Sequence, residues 1–236
     1  MKFKLQKILS NAGVCSRRNA EDLIKGGRVK INQKTALIGE RADPDKDEIF
    51  VDEKKILYEK RLYIILNKPI GYVTTMDDVH AEKTILDLVK IKERIFPIGR
   101  LDKDSEGLLI LTNDGDFANR IMHPSFEIKK TYQVKIDNEL KRSDIEKLEN
   151  GIIIGGKKTY PAKIKMITPN EFMITIHEGR NRIIRRMMKY FRYNVLMLRR
   201  VSIGSVKLGN LGLGEYRNMT KKEKQSLEKL SPINNT

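Results

Sequence analysis

The chain of 236 residues contains few of the side chains that bind metals or form disulfide bonds. Its one cysteine, Cys15, excludes an internal disulfide and a cysteine-based zinc site. Its three histidines, His80, His123 and His177, are scattered along the sequence without the spacing of a metal site. We therefore expect no structural metal.

Long apolar runs are also absent. No stretch approaches the roughly 18 to 20 continuous apolar residues that a membrane-spanning helix needs. The first residues, MKFKLQKILSNAG, contain neither the apolar block nor the small-residue cleavage site of a signal peptide. The hydrophobic content of 39% still suffices for a core. The sequence thus predicts a soluble, cytoplasmic protein that does not enter a membrane.

The chain is strongly basic, with a formal net charge of +16. Such a charge favours a polyanionic partner, most commonly nucleic acid, although a generally basic proteome or an anionic membrane surface are alternatives. Lysines and arginines dominate residues 1–41, whereas acidic residues dominate residues 42–59. This change of sign predicts a small domain over residues 1–59 and a larger domain over residues 60–236.

The small domain shows two short helices followed by a strand. Ser16 is placed to cap the second helix, Gly13 to stop the first, and Gly26 with Gly27 to end the second. The stretch KLQKILSNAGVCSRRNAEDLIKGGRVKIN resembles the S4 RNA-binding domain. The resemblance implies RNA binding through a basic face, whereas the alternative is a charged, solvated helix pair without a ligand. The candidate RNA-binding residues of this face are Arg17, Arg18, Arg28 and Lys30.

The larger domain mixes strands and helices without strict alternation. Buried or half-buried strands are predicted within residues 62–66, 107–112, 130–137 and 171–179. Helices are predicted after Asp116 and Ser143, over residues 180–191, and after Thr220. This order predicts an α+β fold with a mostly antiparallel mixed sheet flanked by helices.

Three carboxylates occupy alternate positions just before a buried strand, at Asp102, Asp104 and Glu106. Their spacing alone permits a metal site, an acid/base pair, a nucleophile, or a solvated acidic loop. Asp102 follows Arg100 closely, and a carboxylate beside fixed cations stays ionised. It is therefore a candidate nucleophile or base rather than a general acid.

A second stretch, EGRNRIIRRMMKYFR, combines an apolar helix face with a run of basic residues. Arg182, Arg185, Arg186 and Lys189 would share one side of this helix, with the isoleucines and methionines on the core side. A basic helix face fits contacts to RNA phosphates. A solvated face of an ordinary amphipathic helix is the alternative.

The motifs GRLDKDSEGLLILTNDGDFANRIMHP, NKPIGYV, KTYQV and EGRNRIIRRM together resemble those of the RsuA/RluB/RluE/RluF family of pseudouridine synthases, in matching order and spacing. The resemblance implies that Asp102 is the essential aspartate, that Tyr132 stacks under the target uracil, and that Arg185 pairs with the aspartate. It further implies roles for Arg100 near the extruded nucleotide, for Lys68 and Pro69 in supporting the site, and for Arg180 and Arg182 in RNA or structural contacts.

The activity implied by the resemblance is isomerisation of uridine to pseudouridine without metal, cofactor or energy source. The sequence is most similar to the RluB branch, which implies 23S ribosomal RNA as the substrate. Alternatives are a synthase for 16S ribosomal RNA, a ribosome-assembly factor with dispensable catalysis, and a glycoside-type hydrolase that uses Asp102 and Glu106. We expect a monomer, because the sequence contains no coiled-coil repeat.

Overall fold

The structure is a computed structural model that describes residues 1–57, 59–75 and 82–231, so His80 lies outside the described residues. The chain divides into two compact units. The first contains residues 1–62, 91–95 and 113–115, and the second contains the rest of the described chain. The domain boundary after residue 59 stays a prediction. Among the described helices, none is both long and apolar enough to cross a membrane.

The first unit is built on a helix pair and small antiparallel sheets. Ser16 accepts a hydrogen bond from the Asn19 amide at 3.2 Å and caps the second helix, and Gly13 follows the first helix with φ +80°, as predicted. Its elements are β1 Phe3–Lys4, α1 Leu5–Asn11, α2 Arg17–Lys25, β2 Val29–Ile31, β3 Lys34–Thr35, β4 Arg41–Ala42, β5 Ile49–Val51 and β6 Lys54–Lys55. β1 pairs with β4, and the other strands form the order β3-β2-β5-β6.

The second unit is organised around one large sheet. Its strands are β7 Tyr63–Lys68, β8 Phe96–Ile98, β9 Glu106–Thr112, β10 Lys130–Ile136, β11 Ile153–Ile154, β12 Lys157–Lys158, β13 Lys163–Thr168, β14 Glu171–Ile176, β15 Val195–Ile203, β16 Val206–Lys207 and β17 Tyr216–Asn218. The helices are α3 Gly115–Met122, α4 Arg142–Asn150, α5 Ile183–Tyr190 and α6 Lys221–Leu230, and short 3₁₀ turns cover Ile85–Leu88 and Pro124–Phe126.

The sheet follows the order β13-β14-β10-β15-β9-β7-β17, with β8 beside β9 and β16 beside β15. The pairing of β9 with β15 is parallel, whereas the other described pairs in this sheet are antiparallel. The predicted α+β fold with a mostly antiparallel mixed sheet is therefore confirmed. The central strands β9, β10 and β15 bring together the GRLD segment before β9, the KTY segment of β10 and residues 198–200 of β15.

Two apolar clusters hold this unit. One packs α4 and α5 on β10, β14 and β15, and Phe172, Met187 and Met188 are fully buried in it. The other packs α3 and α6 against β7, β9 and β15 around Phe117 and Leu227. The helical spacing predicted for Ile183, Ile184, Met187 and Met188 is confirmed, since all of them are buried. Burial of each such side chain is worth about 1.5–3 kcal/mol.

Two predicted helix caps are wrong. Helix α3 begins at Gly115, so Asp116 lies in its first turn, where its charge complements the helix dipole. Helix α4 begins at Arg142 after Lys141, and Ser143 lies inside it. A distant side chain occupies the place of a cap, because the Lys141 amide donates to the Tyr193 hydroxyl at 3.3 Å and that hydroxyl donates to Asp144 at 2.9 Å. The cap predicted at Thr220 is confirmed, with reciprocal hydrogen bonds to Glu223.

Candidate active site

A cavity of about 430 Å³ opens in the second unit where the loop before β9 meets β10, β15 and the N-terminus of α5. This is in the size range of small-ligand pockets in proteins. Of the residues predicted to carry the chemistry or to contact the nucleotide, those that line the cavity are Arg100, Asp102, Tyr132, Arg180 and Arg182. Residues far apart in sequence therefore converge on one site.

The loop that carries Asp102 is fixed through its backbone. Thr74 bonds Leu101 twice, donating to its carbonyl at 2.7 Å and accepting from its amide at 3.2 Å. The Gly71 amide donates to the Lys103 carbonyl at 2.8 Å. The loop also closes on itself, because the Ser105 amide donates to the Asp102 carbonyl at 3.0 Å. Asp102 is thus held on a rigid turn, with its side chain about one-third exposed.

Lys68, the last residue of β7, supports the same turn. Its side chain is fully buried at the end of β7, and its ammonium donates to the carbonyls of Ser105 at 2.8 Å and Pro69 at 3.0 Å. Burial lowers the pKa of Lys68 to about 8, although the charges of Asp102 and Asp104 raise it. Lys68 lies outside the cavity lining and contacts the backbone of the Asp102 loop.

Arg200, on the neighbouring strand β15, fixes both ends of the loop that carries Asp102. It is 2% exposed, and its guanidinium donates to the carbonyls of Leu108 at 2.7 Å and Arg100 at 3.3 Å. Close contact of β9 with β15 makes this possible, since a Cβ at Gly107 would lie 2.3 Å from the Arg200 carbonyl oxygen. Gly107 also has φ +107°, a conformation that other residues rarely adopt.

The arginines of the α5 segment contact Asp104 rather than Asp102. Arg182 donates to both carboxylate oxygens of Asp104 at 3.1 and 2.5 Å, and its Nη1 lies 3.9 Å from Asp102 Oδ2. Arg185 donates to the Asp104 carbonyl at 2.6 Å, and its Nε lies 3.3 Å from the Asp104 carboxylate. The aspartate expected to pair with Arg185 was Asp102, whereas the structure gives it Asp104 as partner.

These contacts have opposite effects on the ionisation of the three groups. Burial raises the pKa of Asp104, but the hydrogen bond from Arg182 and the charges of Arg185 and Arg182 outweigh it, so that the pKa is lowered. The hydrogen bond to Asp104 raises the pKa of Arg182, whereas burial lowers the pKa of Arg185. Asp104 therefore stays ionised and keeps two guanidinium groups beside the Asp102 loop.

Tyr132 and Arg180 form other parts of the cavity wall. Tyr132 lies on β10, partly buried against the apolar cluster of α5. Arg180 is bound within the protein, because its Nε donates to Glu178 at 2.5 Å and its Nη1 to the Lys157 carbonyl at 3.2 Å. Arg100 is exposed at the cavity rim. Arg182 is exposed as well, but its guanidinium is paired with Asp104.

The basic residues predicted in the first unit divide into two sets. Arg28 forms a two-point ion pair with Asp52, and Lys30 lies 2.6 Å from Glu53. Arg17 and Arg18 lie at the start of α2, are exposed, and form no ion pair within the described residues. These two side chains have their charges free for a polyanion.

Sequence reasoning missed two cationic residues of the cavity, Lys130 and Arg200. Lys130 lies two residues before Tyr132 on the same strand, so both side chains lie on one face of β10. This two-residue spacing could have identified Lys130 as a residue of the site. Arg200 had no such signal, because it reaches the cavity only through the pairing of β15 with β9 and β10.

The chain is similar to known proteins over most of its length. A family model described as RNA pseudouridylate synthase matches residues 62–190, and a model of the S4 domain matches residues 3–49. A relative from Bacillus subtilis, "Ribosomal large subunit pseudouridine synthase B", is 41% identical and covers 97% of this chain and 96% of its own. "Dual-specificity RNA pseudouridine synthase RluF" of Escherichia coli is 40% identical over 96% of this chain and 79% of its own length.

A solved structure matches as well. The crystal structure of a pseudouridylate synthase superposes with a TM-score of 0.72 at 31% sequence identity, and covers 95% of this chain and 99% of that chain. The similarity therefore extends over both units rather than over the large sheet alone.

Proposed function

Since the chain belongs to the RNA pseudouridylate synthase family and carries an S4 domain, we propose that it converts a specific uridine of 23S ribosomal RNA to pseudouridine. The family resemblance seen in the sequence is confirmed. The large-subunit substrate is supported by the name of one similar protein, the ribosomal large subunit pseudouridine synthase B of Bacillus subtilis. That substrate also implies a cytoplasmic place of action.

The observation that carries this proposal is the cavity itself. It combines a carboxylate on a rigid turn, Asp102, with an aromatic ring, Tyr132, and a basic lining. A uracil within folded RNA must first be extruded from its stack, which costs a few kcal/mol. Stacking on an aromatic ring returns about 1–3 kcal/mol, and phosphate contacts supply more.

In the proposed reaction, the bond between N1 of uracil and C1′ of ribose breaks, and C5 then bonds to C1′. The hydrogen on C5 leaves as a proton and N1 gains one, so the product is an isomer of the substrate. Asp102 acts as nucleophile or base, and Tyr132 is the stacking platform. The reaction needs no redox partner or energy source, in keeping with the proposal that no metal or cofactor takes part.

The remaining residues act through Asp102 or through the RNA. Arg185 and Arg182, gathered by Asp104, keep positive charge beside the catalytic loop. Arg100 contacts the extruded nucleotide, and Arg180 shapes the cavity through Glu178. Lys68 supports the catalytic turn through the Ser105 carbonyl.

The S4 domain is proposed to supply the other RNA contacts. Arg17 and Arg18 are proposed as its main phosphate contacts, and Arg28 and Lys30, which pair with Asp52 and Glu53, as weaker ones. We place the domains at residues 1–59 and 60–236 and infer that the protein acts as a monomer.

The experiment that tests this function maps pseudouridines in both ribosomal RNAs of a strain that lacks the protein. We expect one site in 23S RNA to be missing and to return with the intact gene but not with an Asp102→Asn allele. A missing site in 16S RNA would overturn the assignment of the substrate. A full set of pseudouridines in the deletion strain would overturn the enzymatic proposal and favour an assembly factor.

A further inference from the structure

Lys130 is a cation of the cavity for which the proposed mechanism has no use. It begins β10, two residues before Tyr132, and is partly buried in the cavity wall. Its ammonium donates one hydrogen bond, to the Ile128 carbonyl at 3.3 Å. An ammonium carries three donors, so two of them have no partner within the described residues.

The charge of Lys130 is uncompensated. Within the described residues, no carboxylate lies within ion-pair distance of its ammonium. Burial and the nearby positive charge of Arg200 lower its pKa to about 8. A desolvated charge without a counter-ion is costly for the fold, so its place in the wall of the catalytic cavity calls for a ligand that compensates it.

Arg200 places a second hydrogen-bond donor without a partner in the same cavity wall. Its Nε and Nη1 are held by the carbonyls of Leu108 and Arg100, whereas its Nη2 is buried without a hydrogen-bond partner within the described residues. Buried donors of this kind are rare in proteins. The two cations therefore form one electropositive side of the cavity, which the resident carboxylates do not neutralise.

We propose that Lys130 is a further catalytic residue, whose ammonium donates a hydrogen bond to a carbonyl oxygen of the extruded uracil and stabilises the negative charge that develops on the ring. This inference rests on the proposed function, because it assigns a role within the same reaction. Arg200 acts beside it as a positioning residue that fixes the loop and adds positive charge.

The chemistry of the reaction requires such a group. When the bond between N1 and C1′ breaks, its electron pair leaves with the uracil, and the ring becomes an anion whose charge is shared by N1 and the carbonyl oxygens. A fixed cation at one of these oxygens interacts more strongly with this anion than with neutral uracil. It therefore lowers the barrier rather than only tightening binding.

The test compares Lys130→Met with Lys129→Met in single-turnover reactions on a 23S RNA fragment that contains the target uridine. Lys129 is the neighbouring lysine and is exposed, so its variant removes the same charge outside the cavity. Methionine has nearly the length of the lysine stem and is compatible with burial, and the unfolding temperature of each variant reports whether it folds.

We expect the rate of Lys130→Met to fall about 100-fold, as is typical when one donor to a developing anion is removed, with RNA affinity unchanged. Lys129→Met keeps the wild-type rate. A fall of less than threefold for Lys130→Met would overturn the proposal. A weaker affinity with an unchanged rate would also overturn it, since that result indicates a contact to an RNA phosphate.

A pH profile separates catalysis from a structural role. The wild-type rate should decline as the pH rises through about 8, where both Lys130 and the buried Lys68 lose their protons. In Lys130→Arg, which stays charged, the decline should become shallower, because only Lys68 still titrates in that range, and an unchanged profile would contradict the proposal. The other charged or titratable groups that line the cavity are Arg100, Asp102, Tyr132, Glu178, Arg180, Arg182 and Arg200.

The wild-type reaction distinguishes a failure of this inference from a failure of the proposed function. If the wild-type protein forms no pseudouridine in the fragment or in assembled 23S RNA, the proposed function is wrong and the inference falls with it. If the wild-type protein is active and Lys130→Met is equally active, only the inference is wrong.

Discussion

Arg182 and Asp104 are 78 residues apart in the chain and form a two-point ion pair beside the turn that carries Asp102. The pair leaves Arg182 Nη1 3.9 Å from Asp102 Oδ2, which is beyond hydrogen-bonding distance. Asp104 thus sets the position of a positive charge relative to Asp102, although Asp104 itself lies outside the cavity lining.

Asp104→Asn should lower kcat about ten- to hundredfold, because small displacements of catalytic groups have effects of this size. The variant weakens the hold on Arg182 and Arg185. In a double-mutant cycle, Arg182→Ala should have a smaller effect when Asp104 is already replaced. The measurement is single-turnover pseudouridine formation, with exposed Asp45→Asn as control. Additive effects of the two substitutions would contradict the coupling.

Asp102→Asn should abolish pseudouridine formation and leave RNA affinity nearly unchanged. Asparagine has the same shape but neither attacks carbon nor takes a proton as a carboxylate does. Quantification of pseudouridine in a 23S fragment, together with a filter-binding titration, checks both statements. Retained turnover would remove Asp102 from the catalytic role.

Gly107→Ala should destabilise the protein strongly, because its Cβ would meet the Arg200 backbone at 2.3 Å and its φ is +107°. We expect a loss of more than about 3 kcal/mol in the free energy of unfolding. Gly209→Ala is the matched control, with φ +63° and no atom within 4 Å of the added Cβ, and should lose only about 1 kcal/mol. Equal losses in urea unfolding would show that the close strand contact is unimportant.

Arg17→Glu with Arg18→Glu should weaken binding to 23S RNA and flatten the dependence of affinity on salt. Each lost phosphate contact reduces the slope of log affinity against log salt by about 0.7–0.9. Reversal of Arg28 should have a smaller effect, since Asp52 already pairs with it. Binding titrations over a range of salt concentrations measure these slopes. Unchanged slopes for the Arg17 and Arg18 variant would contradict the assigned RNA face.

Glu223 should make stability depend on pH in acid. A hydrogen bond from Arg217 and further hydrogen bonds from Thr220 lower the pKa of Glu223 to about 2 in the folded protein, although burial partly opposes them. The pKa of Glu223 in the unfolded chain is about 4.3. Its contribution is therefore fully present above about pH 4.3 and is lost as the pH falls through 2. Unfolding of wild type and Glu223→Gln at several pH values measures this. A stability difference that stays constant between pH 6 and pH 2 would contradict it.

The sequence predicted those features that depend on neighbouring residues. The caps at Ser16 and Thr220 were predictable because the capping side chain bonds an amide three residues further along. The cap predicted at Ser143 was wrong because the Lys141 amide at the start of α4 donates its hydrogen bond to the hydroxyl of Tyr193, 52 residues later in the chain. The partner of Arg185 was misassigned for a similar reason, since Asp102 and Asp104 are alternatives that only the folded loop distinguishes.

The fixation of the catalytic turn by Arg200 has a consequence for the order of folding. The Arg100 carbonyl accepts a hydrogen bond from the Arg200 side chain, 100 residues later in the chain. Strand β9 pairs in parallel with β15 across a similar separation. Contacts this distant in sequence form slowly, after local hairpins and helices. Until residue 200 has emerged, a nascent chain therefore lacks the Arg200 hydrogen bonds, and the Asp102 turn is held only by its contacts with Thr74, Gly71 and Lys68.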